Sequence, residues 1–325
     1  VTVLVTGGAG YIGAHVVRLL QSTGRDVLVV DDLSTGSADR IGGAPLVQLD
    51  LADPSSVDPL TEACRESGVT SVIHLAARKR VDESVTRPLW YVTQNVGGLA
   101  NVLRATQAAQ VGTFLFSSSA AVYGSCGGAP VSEDDATRPV NPYGRSKLAG
   151  EMLLRDVVRS SALRAVSLRY FNIAGAGWPE LGDTGVTNLV TQTLDRLTRG
   201  ALPEVYGTDY ATPDGSCVRD YLHVVDLAQA HLAVLDRLEA GHLPRDVYNV
   251  GTGRGASVLE VMALLGQVTG LDAVPDAAPR RAGDPASVVA AVDRIRDDVG
   301  WEARYGMPEL LASAWAAWGA GRPQA

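Results

Sequence analysis

Thr2-Val3-Leu4-Val5-Thr6-Gly7-Gly8-Ala9-Gly10-Tyr11-Ile12-Gly13 runs from a short apolar strand through a glycine-rich turn into a helical pattern. Glycines at 7, 10 and 13 allow a tight turn, close approach of backbone to a pyrophosphate, and close packing of helix on strand. The start of the helix then offers free N–H groups and a partial positive charge to phosphates. Alone, such glycines are also compatible with a purely structural turn. The context strengthens the nucleotide reading, because a second strand follows and ends in Asp31, 18 residues beyond Gly13. A carboxylate there accepts hydrogen bonds from the ribose hydroxyls of a dinucleotide and repels an added 2′-phosphate. Asp32 supplies a second negative charge and no Arg adjoins the pair, so NAD is expected over NADP. Asp50, at the end of the third strand, either reaches the adenine or is a plain strand-end carboxylate.

Outward from this loop the first half alternates strand and helix. Short β-branched runs fall at Thr2–Thr6, Asp26–Asp31, Leu46–Asp50, Ser71–Ala76, Thr113–Ser119 and Ala165–Phe171, with helical patterns at Ile12–Thr23, Ser56–Ser67 and Pro88–Ala109. Repeated βα units with fully apolar strands predict a parallel sheet covered on both faces. After Phe171 the pattern loosens into Gly, Pro, Thr and Asp, with one helix near Leu189–Arg199, and Val218–Leu238 and Val247–Val250 resume the βα style. The expected fold is α/β: a Rossmann-type doubly wound parallel sheet with a smaller, discontinuous α/β substrate lobe. The expected division is 1–171 plus about 218–255 for the nucleotide, and about 172–217 plus 256–325 for the substrate.

The 325 residues, 46% hydrophobic and 20% charged, suit one large core and a second lobe. No apolar run approaches the roughly 20 residues that span a bilayer, and the net charge of −8 argues against nucleic acid as the main partner. The chain already reads as a strand at its first residues, so no signal peptide is expected before the fold. Cys64, Cys126 and Cys217 form neither a metal-ligand pattern nor a disulfide framework. Reduced thiols and a cytoplasmic location are expected. His74, inside an apolar run, reads as a satisfied buried histidine, and no metal site is expected. Residues 321–325 read as a frayed tail.

The chemistry lies in Ser119 and in Tyr143-Gly144-Arg145-Ser146-Lys147. Asn141-Pro142 opens a helix, Asn as its cap and Pro in its first turn. Four residues apart, Tyr143 and Lys147 share a face of that helix. A phenol of pKa about 10 is a poor base, and a neighbouring cation lowers that value. Beside a dinucleotide, this group is built to take the proton of a hydroxyl while its carbon is oxidised.

Gly7–Gly13, Asp31, Ser117–Gly124 and Tyr143–Lys147 together resemble the extended short-chain dehydrogenase/reductases. Val81–Pro88, Arg169–Ala174 and above all Asp209–Ala230 narrow the resemblance to the UDP-glucose 4-epimerase (UDP-galactose 4-epimerase) family, from Thr2 to about Trp301. The resemblance implies an NAD-dependent interconversion of UDP-glucose and UDP-galactose through a 4-keto intermediate, in a homodimer. It implies that Tyr143 takes the O4 proton, that Lys147 lowers its pKa and holds the nicotinamide ribose, and that Ser119 hydrogen-bonds the reacting oxygen. It places Gly7, Gly10, Tyr11, Ile12, Gly13, Asp31, Asp32, Asp50, Leu51, Leu75, Ala76, Lys79, Asn95, Ser117 and Phe171 on the cofactor. It places Lys79, Asn172, Asn188, Leu189, Val205, Tyr206, Arg219, Arg281, Asp284 and Val288 on the UDP-sugar. Arg219 and Arg281 carry forked donors suited to a pyrophosphate; a solvated pair with Arg280 is the bland reading of Arg281, and a helix cap that of Asn188.

Two departures from the family stand out. The loop after Asn172 is shortened to Gly175–Gly185 and lacks the usual histidine. The sugar-pocket gate falls at Val288, smaller than the tyrosine of some relatives, which predicts room for the N-acetylated sugar pair. A nucleotide-sugar 4,6-dehydratase needs an acid pair just after Ser119, where Ala120 and Ala121 stand. Epimerases of other UDP-sugars (uronates or pentoses), a simple alcohol dehydrogenase, and a non-catalytic NAD-binding sensor are the remaining alternatives.

Overall fold

The computed structural model describes residues 1–320 except 126, 128, 129 and 282; Cys126 and the tail 321–325 lie outside the described residues. The strands are β1 Thr2–Thr6, β2 Asp26–Asp31, β3 Leu46–Gln48, β4 Val69–His74, β5 Thr113–Ser119, β6 Arg164–Tyr170, β7 Asn172–Ala174, β8 Glu204–Tyr206, β9 Val218–His223, β10 Val247–Val250, β11 Gly255–Ser257, β12 Asp276–Ala278 and β13 Ser287–Val288. The α-helices are α1 Tyr11–Ser22, α2 Val57–Glu66, α3 Val81–Thr86, α4 Pro88–Tyr91, α5 Gly98–Ala108, α6 Pro142–Arg159, α7 Leu189–Thr198, α8 Val224–Glu239, α9 Val258–Thr269, α10 Asp293–Val299 and α11 Met307–Ala320.

Seven parallel strands form the main sheet in the order β10-β6-β5-β4-β1-β2-β3. Strand order reverses between β1 and β4, and in such sheets ligands bind beyond the strand ends at that switch. Alternation along β1 sends Val3 and Val5 into one apolar layer with Val16, Leu20, Leu227 and Val234. Leu4 goes to the opposite layer with Leu60, Leu99, Phe114, Phe116 and Leu154. The sheet is therefore buried on both faces, as its unbroken apolar strands require.

A second sheet runs β11-β9-β13, with β7 also paired to β9, and β12 pairs β8. Helices α7, α9 and α11 close over it through Val190, Leu194, Val261, Leu265, Leu310 and Leu311. The division drawn near residue 218 falls on β9, a strand of this second sheet, whereas α8 packs on α1 beside the main one. The helix expected over Pro88–Ala109 is interrupted. Residues Val92–Gly97 form a π-turn between α4 and α5. That wider turn aims Asn95 inward, where it takes the Arg78 N–H at 2.8 Å and donates to the Arg78 carbonyl at 3.0 Å. Such π-turns are common beside functional sites.

Candidate active site

The glycine loop is shaped as its spacing predicts. Gly7 has φ of +70°, and a Cβ there would lie 2.7 Å from the Ala76 nitrogen. A Cβ on Gly13 would lie 2.1 Å from the Gly7 carbonyl oxygen, so α1 seats directly on the turn. Its N-cap, Gly10, makes no side-chain cap bond and no acid occupies the first turn. The end of α1 thus keeps its donors and its positive end for an anion.

Above this loop opens a cavity of about 480 Å³, within the usual range of cofactor sites. Gly7, Gly10, Tyr11, Ile12, Gly13, Asp31, Asp32, Asp50, Leu51, Leu75, Ala76, Lys79, Tyr143 and Lys147 line it, all named from the sequence. These residues fit a dinucleotide, combining a glycine cradle, strand-end carboxylates, and a phenol and an ammonium from one helix. Asp31 is held by the Ala9 N–H at 3.0 Å and the Leu33 N–H at 2.9 Å. Burial raises its carboxyl above the ordinary value, and these two bonds oppose the rise.

Several cavity residues escaped sequence reasoning. Tyr170 lines the cavity, whereas Phe171 is buried in a separate cluster with Val122, Tyr123 and Ala290. The strand stops at Tyr170, and alternation sends the two rings apart. Asp183, Thr184, Gly185 and Thr187 of the shortened loop also line it. The loop is fastened to the nucleotide half: Arg40 donates to the Leu181 and Gly182 carbonyls at 2.8 and 3.0 Å, and Tyr11 Oη to the Gly175 carbonyl at 2.5 Å. Contrary to the expectation that no Arg adjoins the acidic pair, Arg78 meets Asp32 at 2.7 Å. It comes from the loop after β4, 46 residues along the chain, so local sequence could not show it. Ser117 and Asn95 are not among the residues that line the cavity. The Ser117 carbonyl takes a hydrogen bond from Lys147, and Asn95 is spent on Arg78 and on Ser146 Oγ at 2.9 Å.

Tyr143 and Lys147 sit on α6, whose Asn141 cap accepts the Gly144 N–H at 2.8 Å, with Pro142 in the first turn. A Cβ on Gly144 would lie 2.5 Å from the Ala121 carbonyl oxygen. That close approach brings the helix start against the turn that follows Ser119. Ser119 caps this turn, accepting the Ala121 N–H at 3.2 Å, and lies near enough to the Tyr143 phenol to favour its ionised form. Burial raises the phenol above its ordinary 10, and the nearby Ser119 hydroxyl opposes that rise only in part. The lowering expected from Lys147 is not among the causes. The lysine Nζ instead donates to the Ser117 carbonyl at 2.8 Å. Burial brings the ammonium down from 10.5 to about 8, with Glu151 opposing. One turn on, Glu151 is buried in a bidentate pair with Arg169 at 2.8 and 2.6 Å and accepts from Ser118 Oγ at 2.5 Å.

The sugar-side residues gather on the second lobe. Arg219 on β9 lies 3.5 Å from Asp284 and beside Val288, its partner in register on β13. Asp220 fixes that strand, taking the N–H groups of Thr252, Gly253 and Ala290 at 2.9, 3.0 and 3.2 Å. Arg281 stacks on the Tyr206 ring at 3.8 Å, next to buried Val205. Arg280 is engaged separately, on Asp209 and over Tyr210. Asn188 caps α7, accepting the Thr191 N–H at 3.0 Å and donating to Asp183 at 2.9 Å. Leu189 opens the same helix and packs against the apolar cluster beneath it, and Asn172 is exposed on β7.

A family model described as the NAD dependent epimerase/dehydratase family matches residues 3–251. The UDP-glucose 4-epimerase of Azospirillum brasilense is 42% identical over 323 residues, covering 97% of this chain and 91% of that protein. The crystal structure of UDP-glucose 4-epimerase from Stenotrophomonas maltophila, with bound NAD and formylated UDP-arabinopyranose, matches with a TM-score of 0.92 at 37% identity, covering 98% of each chain. The crystal structure of the Brucella ovis UDP-glucose 4-epimerase in complex with NAD also gives a TM-score of 0.92 at 37% identity, again over 98% of each chain.

Proposed function

This chain belongs to the NAD dependent epimerase/dehydratase family, and we propose that it interconverts UDP-glucose and UDP-galactose by reversible oxidation at C4. The observation that carries this reading is the Tyr143 phenol, with Lys147 one turn along the same helix, both lining the glycine-loop cavity and with Ser119 beside the phenol. Bound NAD+ supplies the hydride acceptor, and its reduced form the donor. Tyr143 takes the O4 proton as C4 is oxidised and returns it when the 4-keto sugar is reduced on its other face. Ser119 holds the phenol and the reacting oxygen in one hydrogen-bonded group. Lys147, cationic below about pH 8, keeps a positive charge on the same helix face. Ala120 and Ala121, in the turn after Ser119, offer no acid to expel water, so the 4-keto sugar returns to a hydroxyl.

Arg219 with Asp284 and Arg281 with Tyr206 hold the UDP, through forked donors for the diphosphate and a ring surface for the base. Val288 leaves room beside the sugar for an N-acetyl group, and Val288→Tyr should remove activity on the acetylated pair while sparing the plain pair. Exposed Val85, Leu89, Val92 and Met152 lie on α3, α4, the π-turn and α6, which pack together, and form the contact of a homodimer. A sedimentation measurement giving a monomer at micromolar concentration would count against that contact. The unpaired Cys64 and Cys217 agree with work in the cytoplasm. The deciding assay is conversion of UDP-galactose to UDP-glucose with no added oxidant. Failure to convert either sugar by NAD-loaded protein would reject the reading.

A further inference from the structure

Beside Asp31, the adenosine-ribose end of the cavity carries a guanidinium already committed to another group. Arg78 has its backbone pinned by Asn95. Its Nη2 meets Asp32 Oδ2 at 2.7 Å, Nη1 meets Ser34 Oγ at 2.6 Å, and Nε meets Gln94 Oε1 at 3.1 Å. Its face lies over the Trp90 ring, 5.2 Å from the centroid. The other Asp32 oxygen takes the Ser34 N–H and hydroxyl at 2.9 and 2.5 Å. Asp32, Ser34, Arg78, Trp90 and Gln94 all line the cavity with Asp31. This end therefore brings Asp31 and Asp32 together with Arg78, whose Nε, Nη1 and Nη2 each donate to a protein acceptor.

We propose that Asp32, acting through Arg78, is a second determinant of cofactor choice: it occupies the guanidinium that would otherwise pair with the 2′-phosphate of NADP. The inference rests on the NAD reading of the cavity but not on the identity of the sugar. A guanidinium is well matched to phosphate oxygens, and Arg78 sits on Asp32 and Ser34, one and three residues after the ribose acid. For a 2′-phosphate to use it, the Asp32 bond must break and leave that carboxylate beside a dianion. Asp31 alone repels the phosphate; Asp32 both adds to that repulsion and occupies the Arg78 guanidinium that would offset it. Replacing Asp32 by a neutral residue leaves one carboxylate, one guanidinium and a free donor edge.

The holoprotein and its variants are equilibrated with a fixed mixture of NAD+ and NADP+. The bound dinucleotides are then released by acid and separated, a readout that needs no turnover. Asp32→Asn should raise the bound NADP:NAD ratio at least tenfold, about the effect of one unit charge in a half-exposed site. Asp32→Ser should act in the same direction and serves if the first variant folds poorly. Adding Arg78→Leu to either should return the ratio to within twofold of the parent. An unchanged ratio in both single variants, or a gain that persists without Arg78, would overturn the proposal. Loss of the epimerase activity alone bears on the sugar reading and leaves this ratio intact.

Discussion

Acidification should loosen this protein through histidines that are buried neutral, and His15 allows the effect to be isolated. His15 Nε2 accepts the Gly177 N–H at 3.0 Å, which leaves Nδ1–H to donate to the Tyr11 carbonyl at 2.8 Å. His223 Nδ1 accepts the Val225 N–H at 3.1 Å and its Nε2 meets Ser313 Oγ at 3.0 Å. That hydroxyl in turn accepts the Ala176 N–H at 3.1 Å. Burial brings His15, His223 and His231 down from 6.5 to about 4, and His74 to about 3. The unfolded chain protonates these rings near 6.5, while the folded chain resists until about 4. Between those values the unfolded state binds more protons, so stability falls as the pH drops. Each ring contributes about 1.4 kcal/mol per pH unit, and one lowered to about 4 costs about 3 kcal/mol in all.

Burial also raises Asp31, Asp220 and Asp226, and those groups act in the opposite sense where they titrate, because the folded chain protonates first. A comparison of parent with His15→Gln removes that background, since the glutamine carbonyl still accepts the Gly177 N–H. The assay is urea unfolding between pH 6.5 and 5, with bound dinucleotide measured in parallel. The variant should show a pH slope smaller by about one proton. In the parent, dinucleotide loss should accompany the destabilisation, because the segment held by His15 continues into the cavity-lining residues 183–187. Equal slopes in parent and variant would refute the reasoning.

Three further outcomes follow from the geometry. Ser119→Ala should lower kcat about 10²-fold with little change in bound NAD; steady-state kinetics with a dinucleotide assay checks both. Gly13→Ala places a Cβ 2.1 Å from the Gly7 carbonyl oxygen, and should cost about 1–3 kcal/mol in urea unfolding, with loss of dinucleotide. Arg169→Met strands Glu151, which is 1% exposed, and should destabilise by about 3–5 kcal/mol, whereas Arg169→Met with Glu151→Leu should recover most of it.

The parts of the site legible in the sequence are those set by local geometry. Strand, glycine turn, helix and Asp31 follow one another along the chain, and Tyr143 and Lys147 share a helix face by spacing alone. What stayed hidden depends on which strands are neighbours. Arg78 reaches Asp32 only because β1 lies between β2 and β4. Tyr170, which no motif singled out, lines the cavity, while Phe171, placed on the cofactor by the family resemblance, lies in a separate buried cluster. The π-turn left no mark on the apolar pattern of 88–109, although it is what positions Asn95. Burial, which no pattern reports, pushed the Tyr143 phenol up where the neighbouring lysine alone implied a fall.

The most direct test of the epimerase account follows a hydride. UDP-galactose carrying deuterium at C4 is incubated in ordinary water with the NAD-loaded protein and no added oxidant. The account predicts UDP-glucose with the deuterium still at C4, and turnover at least about 10²-fold lower in Tyr143→Phe. Loss of the label to solvent, or near-normal turnover without the phenol, would contradict it.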